Sequence, residues 1–169
     1  LPSASDKVIS VGAVTKYETL IQSTVNVTAP TPVPATLLNL DTGPAQFGPS
    51  MVDQHIGPFP YVPSHAVVPG NNLGCNPYPA GSLAGKIVMI ERGVCEFGFK
   101  VLTAQNAGAV GALIYNSPAG GDALQAMGGG AVGGLVTIPS VFMRRSNGLE
   151  MVAYHTANPT TAAAEFFYN

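Results

Sequence analysis

Charged residues are scarce in this chain of 169 amino acids: Asp, Glu, Lys and Arg make up only 9%, against about a quarter in ordinary soluble domains. The formal net charge is −2, and no cluster of Lys or Arg is present. This composition excludes the electrostatic footprint of a nucleic-acid-binding protein or of one that binds anionic membranes. No apolar run is long enough to cross a bilayer. We therefore expect neither nucleic acid nor a membrane among the partners.

Tryptophan is absent, no apolar leader of the secretory kind is present, and the chain begins with Leu1 instead of Met. We expect the chain to be a mature form or a piece of a longer protein. Apolar residues still reach 46%, so a packed core is expected. The 20 glycines and 15 prolines favour many short elements joined by tight turns.

Cysteine is limited to two residues, Cys75 and Cys95. A structural zinc site takes a larger set of ligands at closer spacing, so the two do not indicate zinc. A single disulfide between them is the economical pairing, and the loop-entropy model gives it about 3 kcal/mol. The one N-glycosylation sequon begins at Asn26. A disulfide and a glycosylation site together predict an extracellular location.

The middle of the chain predicts a β-α-β unit. Lys86–Glu91 and Val110–Tyr115 are apolar runs of strand length. Between them, apolar and small residues fall on one face at helical spacing, at Phe97, Val101, Ala104 and Gly108. A helical crossover makes the two strands parallel and the connection right-handed.

The remaining segments predict short strands and one further helix. We expect strands at Val8–Val14, Leu20–Thr28, Leu37–Leu40, Val136–Met143 and Thr161–Tyr168. Pro139 suits an edge strand or a bulge. The helix covers Ser146–Tyr154, with Leu149, Val152 and Ala153 facing inward, and residues 117–134 form a mobile glycine-rich loop. The fold class is therefore α/β, rich in strands, with a central β-α-β unit and two or three short helices.

Motifs of known catalysts are incomplete in this sequence. "LDTG" (Leu40–Gly43) resembles an aspartic-protease loop, but that mechanism needs a second carboxylate motif, which the sequence lacks, so a turn is expected there. "MGGGAVGG" lacks the Lys of a phosphate loop. Neither cysteine has a histidine nearby in sequence, and the histidines are isolated, at His55, His65 and His155. The sequence therefore predicts no catalytic residue, no metal site and no cofactor.

The segment after the first strand of the β-α-β unit carries the interesting polar residues. Arg92 lies at the carboxyl end of a parallel strand and just before a helix, where ligands collect in open α/β sheets. Free N–H groups there favour an anion or a peptide carbonyl. Arg92 could instead pair with Glu91 or Glu96 as a local clip, and the sequence leaves both readings open.

The segment "GCNPYPAGSLAGKIVMIERGVCEFGFKVLTAQNAGAVGALIYN", followed by "VTIPSVFM", closely resembles the protease-associated (PA) domain. The pieces of that family's pattern occur in order, at Cys75, Gly85–Ile87, Arg92–Phe97, Lys100, Ala104–Ala109, Asn116 and Ile138–Ser140. The resemblance implies a domain of residues 41–169 without catalytic activity that binds peptide or controls substrate access. It places Cys95 in a disulfide and Phe97 in the core. The implied peptide-binding residues are Arg92, Gly93, Val94, Glu96, Asn76 and Asn116.

The start of the chain, "SASDKVISVGAVTK", resembles a strand of subtilisin-like serine proteases, into which PA domains are often inserted. Residues 1–40 are then N-terminal strands, either a stub of such a parent protease or an extra β layer. A secreted zinc metalloprotease of the fungalysin type, or an aminopeptidase, is the alternative parent. The partners that follow are a peptide or protein substrate and the parent's protease domain.

Two other functions are open at this point. The domain could be a structural or interaction module that stabilises the parent enzyme and has no ligand of its own. It could also be a secreted carbohydrate-binding protein, because Phe59, Tyr61 and Tyr78 lie near polar loops. The absence of tryptophan, a favoured sugar platform, argues against the second.

Overall fold

The computed structural model describes residues 23–52 and 54–168, and within them seven strands close into a barrel. The strands are β1 (Ser23–Ala29), β2 (Leu40–Pro44), β3 (His55–Pro63), β4 (Ile87–Glu91), β5 (Gly111–Tyr115), β6 (Ser140–Met143) and β7 (Ala163–Tyr168). The helices are α1 (Ser64–Val67), α2 (Phe97–Asn106) and α3 (Arg145–Ala157), and 3-10 turns lie at Ala35–Leu37 and Gly130–Leu135. No helix in these two ranges is both long and apolar enough to cross a membrane.

Of the seven strand pairings described for the barrel, three are parallel and four are antiparallel. Going round it, the strand order is β1-β2-β6-β5-β4-β3-β7. Strands β3 to β6 pair in parallel, while β1, β2 and β7 pair with their neighbours in antiparallel fashion. The central β4-α2-β5 unit confirms the predicted β-α-β crossover, and the fold is the expected strand-rich α/β type. Its parallel strands bring the carboxyl ends of β4 and β5 to the same edge of the sheet.

Successive residues of the central strands face two different cores. Met89 of β4 and Leu113 of β5 belong to a cluster to which all seven strands and Met151 of α3 contribute. Ile90 and Ile114, one position further along, belong to a second cluster that includes the inner face of α2. Since both faces are buried, these strands read as continuous apolar runs, which is why the sequence pattern located them correctly.

The structure corrects three of the local predictions. "LDTG" is not a turn, because its residues form most of β2. Of the predicted strand at Leu37–Leu40, only Leu40 is in a strand, as the first residue of β2; Leu37 ends a 3-10 turn and the two residues between them form a bend. Strand β6 begins only after Pro139 and lies between β2 and β5, so it is not an edge strand. Ahead of the strand, Pro139 contributes its carbonyl to a hydrogen bond from Ala112 (3.1 Å).

The inward face of helix α3 matches the prediction only in part: Val152 packs against the core as expected, whereas Ala153 is exposed. The buried positions of α3 are Gly148, Met151 and His155, whereas Leu149 is 44% exposed. Gly148 lies directly against the side chain of Tyr115, and a Cβ at this position would overlap it. Because Gly148 has no side chain, α3 can pack closely against β5 at this position. Gly148 therefore lies on the buried face of the helix, and Leu149 lies on the exposed face.

Predictions for the start of the chain fall largely outside the described residues. The strand expected at Val8–Val14, and the resemblance to a protease strand, lie there. The part of Leu20–Thr28 that is described belongs to β1, which pairs with both β2 and β7. The division of the chain into residues 1–40 and 41–169 stays a prediction. Strand β1 precedes this boundary in sequence, yet it is hydrogen-bonded into the same barrel as the strands that follow the boundary.

Candidate functional site

The segment between β4 and α2, residues 92–96, is the centre of the candidate site, and we call it the β4–α2 corner. Its first residue donates its backbone N–H to the carbonyl of Tyr115 at the end of β5 (2.8 Å). Gly93 has φ 152° and Val94 has φ 56°, both in the region that favours glycine. A β-branched residue in this region is a genuine outlier and costs about 1–3 kcal/mol. Val94 is also 95% exposed, so packing of its own side chain does not hold it there.

A disulfide and a buried lysine connect the β4–α2 corner to the loop before β4. The predicted disulfide is present, and it joins Cys95 to Cys75 in the loop before β4. The ammonium of Lys100, on α2, donates to the carbonyl of Gly93 (2.8 Å) and to that of Leu73. Lys100 is 0% exposed. The corner and the loop before β4 are thus tied together twice, once covalently and once through the lysine.

Burial gives Lys100 unusual protonation behaviour. Desolvation lowers its pKa from 10.5 to about 8, and the negative charge of Glu91 opposes part of that shift. Nearby, burial raises the pKa of Tyr115 to about 12, with Glu91 adding to the increase and Arg145 opposing it. Lys100 is part of the family pattern in the sequence, but its burial was not predicted. The signal was present, since Lys100 is three residues after Phe97 and four before Ala104 on the inward face of α2.

The side chain of Asn116 is hydrogen-bonded to the guanidinium of Arg92. Its Oδ1 accepts a hydrogen bond from a guanidinium nitrogen of Arg92 (3.0 Å) and another from the backbone N–H of Ser117 (2.8 Å). Its Nδ2 donates to the carbonyl of Ala123 (2.9 Å). Asn116 is only 1% exposed. The residue thus lies beneath Arg92 with its amide engaged inside the protein, whereas the family resemblance implied a direct hydrogen bond to ligand.

A second arginine completes the charge arrangement at this sheet edge. Arg145, the first residue of α3, pairs with Glu91 (2.7 Å) and donates to the carbonyl of Asn116 (3.0 Å). The sequence left open that Arg92 pairs with Glu91 or Glu96 as a local clip, and this alternative is wrong. Glu91 pairs with Arg145, and the carboxylate of Glu96 accepts a hydrogen bond from a backbone N–H of the glycine-rich loop. With Arg145 neutralising Glu91, the guanidinium of Arg92 is hydrogen-bonded to a neutral amide.

Glu96 connects the corner to the glycine-rich loop. Its carboxylate is exposed and accepts a hydrogen bond from the backbone N–H of Ala131 (3.1 Å) in the second 3-10 turn. Two residues further on, Gly98 lies directly under the carbonyl of Gly129, and no side chain would fit between them. Helix α2 and the glycine-rich loop are therefore in close backbone contact. The predicted core residue Phe97 is partly buried and packs edge-on against Phe142, with ring centroids 5.9 Å apart.

A shallow groove of about 360 Å³ runs along the corner. Its lining residues are Arg92, Gly93, Val94, Cys95, Glu96, Phe97 and Ser117. Four of the six predicted binding residues thus meet in one groove. Asn76 is exposed and is not among the residues that line the groove. Its backbone carbonyl accepts a hydrogen bond from Nδ2 of Asn71, and its backbone N–H donates to Oδ1 of the same side chain. The groove offers a cationic group, a carboxylate and an exposed apolar side chain within one short stretch of backbone.

Residues considered for catalysis are dispersed over the described part of the chain. His55 pairs with Glu165 (2.7 Å) at the β3–β7 pair, while His155 is buried in α3, where desolvation and then the neighbouring His65 lower its pKa. Asp41, from "LDTG", lies 3.9 Å from Arg144 on the surface. Among the described residues, no group of three or more His, Cys, Asp or Glu side chains could hold a metal ion.

Asn26, the predicted glycosylation site, lies on β1 and is partly buried. Its Oδ1 accepts from the backbone N–H of Asn39 (2.7 Å), and its Nδ2 donates to Glu165 (3.3 Å). Attachment of a glycan would leave Nδ2 one hydrogen, which is enough for the bond to Glu165. Glycosylation at Asn26 stays a prediction.

The fold of this chain, a closed barrel with a central β-α-β unit, is also seen in solved structures. The aminopeptidase from Aneurinibacillus sp. strain AM-1 aligns over 86% of this chain and 32% of its own, with a TM-score of 0.55 and 21% identity, which shows likeness of fold. A family model described as the PA domain matches residues 61–151, more than half of the chain. The chain belongs to the PA domain family.

Two curated proteins of different kinds are similar to parts of this chain. Leucine aminopeptidase 2 of Arthroderma otae is 48% identical over 71 residues, which are 41% of this chain and 13% of that protein. The E3 ubiquitin-protein ligase Godzilla of Drosophila melanogaster is 32% identical over 115 residues, 67% of this chain and 21% of that protein. The chain therefore spans a small part of the relatives it matches. Neither relative is a subtilisin-like protease, so that predicted parent is not confirmed.

Proposed function

We propose that this PA domain is a non-catalytic recognition module that binds extended peptide in the groove of the β4–α2 corner. The observation that carries the proposal is the placement of Arg92, which belongs to the lining of the groove and whose guanidinium is held by the buried Asn116. A guanidinium held in this way is prepared to bind a carboxylate or a peptide carbonyl. Asn116 then acts as a positioning residue.

We also propose that the whole protein is an aminopeptidase, with this domain beside its catalytic domain. The similarity to leucine aminopeptidase 2 of Arthroderma otae supports this parent over the subtilisin-like one. The groove would then select or orient substrate peptides before cleavage elsewhere in the protein. The disulfide favours an oxidising compartment and supports secretion.

Binding of a peptide library to the chain, followed by two-dimensional NMR, tests the proposal. We expect weak binding with shift changes at residues 92–97. Arg92→Ala should lower the affinity by about tenfold, because a hydrogen bond to a charged group contributes about 1.5–3 kcal/mol. Lys86→Ala is the charge-matched control, since Lys86 precedes the same strand at its opposite end.

Three outcomes would contradict the proposal. Peptides that leave residues 92–97 unperturbed would show that the groove is not the binding site. Equal losses of affinity in Arg92→Ala and Lys86→Ala would show that only net charge matters. If no peptide binds and deletion of the domain merely destabilises the parent enzyme, the domain is a structural module instead.

A further inference from the structure

The two sulfurs of the Cys75–Cys95 disulfide have different surroundings. The Sγ of Cys75 lies 3.6 Å from the ammonium of Lys100, which is completely buried. Cys95, in contrast, lines the open groove and follows the exposed Val94. The cation thus lies beside the sulfur of Cys75, while Cys95 is the cysteine that belongs to the lining of the groove.

This asymmetry matters in thiol–disulfide exchange. An attacking thiolate forms a bond to one sulfur, and the other sulfur leaves with the electron pair as a thiolate. A more stable leaving thiolate leaves faster, and a neighbouring cation lowers the pKa of a thiol. Departure of Cys75 places the new negative charge in hydrogen-bond contact with the ammonium of Lys100, whereas the Sγ of Cys95 contacts the carbonyl of Leu73 and makes no hydrogen bond to that ammonium.

We propose that Cys95 is a modification site for low-molecular-weight thiols, with Cys75 as the leaving group and Lys100 as the residue that stabilises it. A thiolate attacks the Sγ of Cys95 from the groove. The bond between Cys95 and the attacking sulfur forms, the bond to Cys75 breaks, and Cys75 becomes a thiolate paired with the ammonium of Lys100. A second thiol of the same class can then release the adduct and leave both cysteines reduced.

The reaction would also change the groove. An adduct on Cys95 lies among the groove residues, and the corner loses its covalent link to the loop before β4. We therefore expect exchange to block peptide binding there. This consequence rests on the proposed function, while the choice of sulfur does not.

Treatment of the native chain with 2-mercaptoethanol tests the choice of sulfur. Brief exposure in the presence of excess iodoacetamide, then acid quench and peptide mapping by mass spectrometry, identifies which cysteine carries the adduct and which is alkylated. We expect the mercaptoethanol adduct on Cys95 and the carbamidomethyl group on Cys75. An adduct mainly on Cys75, equal adducts on both, or reaction only after addition of denaturant would overturn the proposal.

The role of Lys100 is tested by the exchange rate of Lys100→Met. Loss of the cation should slow the exchange by about tenfold, since leaving-group stability sets much of the rate. Lys86→Met, which removes a lysine outside the corner, should react at the wild-type rate. An unchanged rate in a folded Lys100→Met chain would overturn this role. If that variant does not fold, the wild-type position of the adduct decides the proposal alone.

Discussion

Replacement of Lys100 by methionine should change how the stability of the domain depends on pH. The ammonium of Lys100 lies on two backbone carbonyls and a disulfide sulfur, with no carboxylate in contact. Burial therefore lowers its pKa to about 8, with Glu91 as the charged group that opposes the shift. Methionine has a similar length and no charge, so it removes the titration from the folded state.

The sign and size of the effect follow from proton linkage. Below pH 8 both the folded and the unfolded chain hold the proton, so the cost of burying the charge is present in full. Between pH 8 and 10.5 the unfolded chain still binds the proton and the folded chain does not, so the free energy of unfolding rises with pH. With folded and unfolded pKa values of about 8 and 10.5, the gain from about pH 7 to about pH 9.5 is about 2 kcal/mol.

Buried tyrosines act in the opposite direction but mainly at higher pH. The pKa values of Tyr61, Tyr78 and Tyr115 are all raised by burial, so the folded state loses stability as pH rises above 10. At about pH 9.5 the loss from any one of them is at most about 0.2 kcal/mol, because the tyrosines of the unfolded chain, with a pKa of about 10, are still mostly protonated there. This loss is common to wild type and variant, so it cancels in their difference.

Urea unfolding of wild type and Lys100→Met across this pH range provides the measurement. The free energy of unfolding of wild type should gain about 2 kcal/mol relative to the variant between about pH 7 and 9.5. Lys86→Met should follow the wild-type curve. Parallel curves for wild type and Lys100→Met would refute the reasoning, because they would show that the buried lysine titrates as it does in the unfolded chain.

Three further substitutions should alter stability, each measured by urea unfolding. Gly98→Ala should destabilise by about 1–3 kcal/mol because its Cβ would overlap the carbonyl of Gly129, although helix propensity alone favours alanine by about 1 kcal/mol. Val94→Gly should stabilise by about 1 kcal/mol through relief of the positive φ. Arg145→Met should destabilise by about 1–3 kcal/mol because Glu91 loses its ion-pair partner.

Each of these substitutions has a control or a contradicting result. Gly134→Ala, in open space on the same loop that Gly98 contacts, should be close to neutral. A gain in stability for Gly98→Ala would mean that the loop moves away freely. A loss for Val94→Gly would show that the backbone at this position is not strained. Glu91→Gln in the Arg145→Met background should recover part of the loss, since it removes the unpaired charge.

The sequence predicted the β-α-β unit because both strands are buried on both faces and α2 has a clear inward stripe. It also located helix α3, predicted at Ser146–Tyr154 and observed at Arg145–Ala157, but it did not predict that Gly148 faces inward. A hydrophobicity pattern cannot rank a glycine above Leu149, because the reason for its burial is the side chain of Tyr115 across the interface. Similarly, the pairing of Arg145 with Glu91 joins residues 54 positions apart, and neither has a local pattern that points to the other.

The candidate site was predicted in part for a related reason. Arg92, Gly93, Val94 and Glu96 are consecutive or nearly so, so any fold that bends after β4 brings them together. Asn116 was recognised as a polar residue at the end of β5, but its burial depends on the path of residues 117–123, which supply two of its partners. Local sequence locates the polar residues, and the loop after β5 decides which of them face solvent.

The backbone of Val94 in the β4–α2 corner is held in a strained conformation, with a positive φ. Such a conformation persists only where the surroundings impose it. Three independent connections do so here: the Arg92 N–H on the end of β5, Lys100 on the carbonyl of Gly93, and the disulfide at Cys95. The groove is thus formed before any ligand arrives, and little backbone freedom remains to be lost on binding. An exposed valine held in this way contributes nothing to the core, and under the function proposed above it is available to a peptide in the groove.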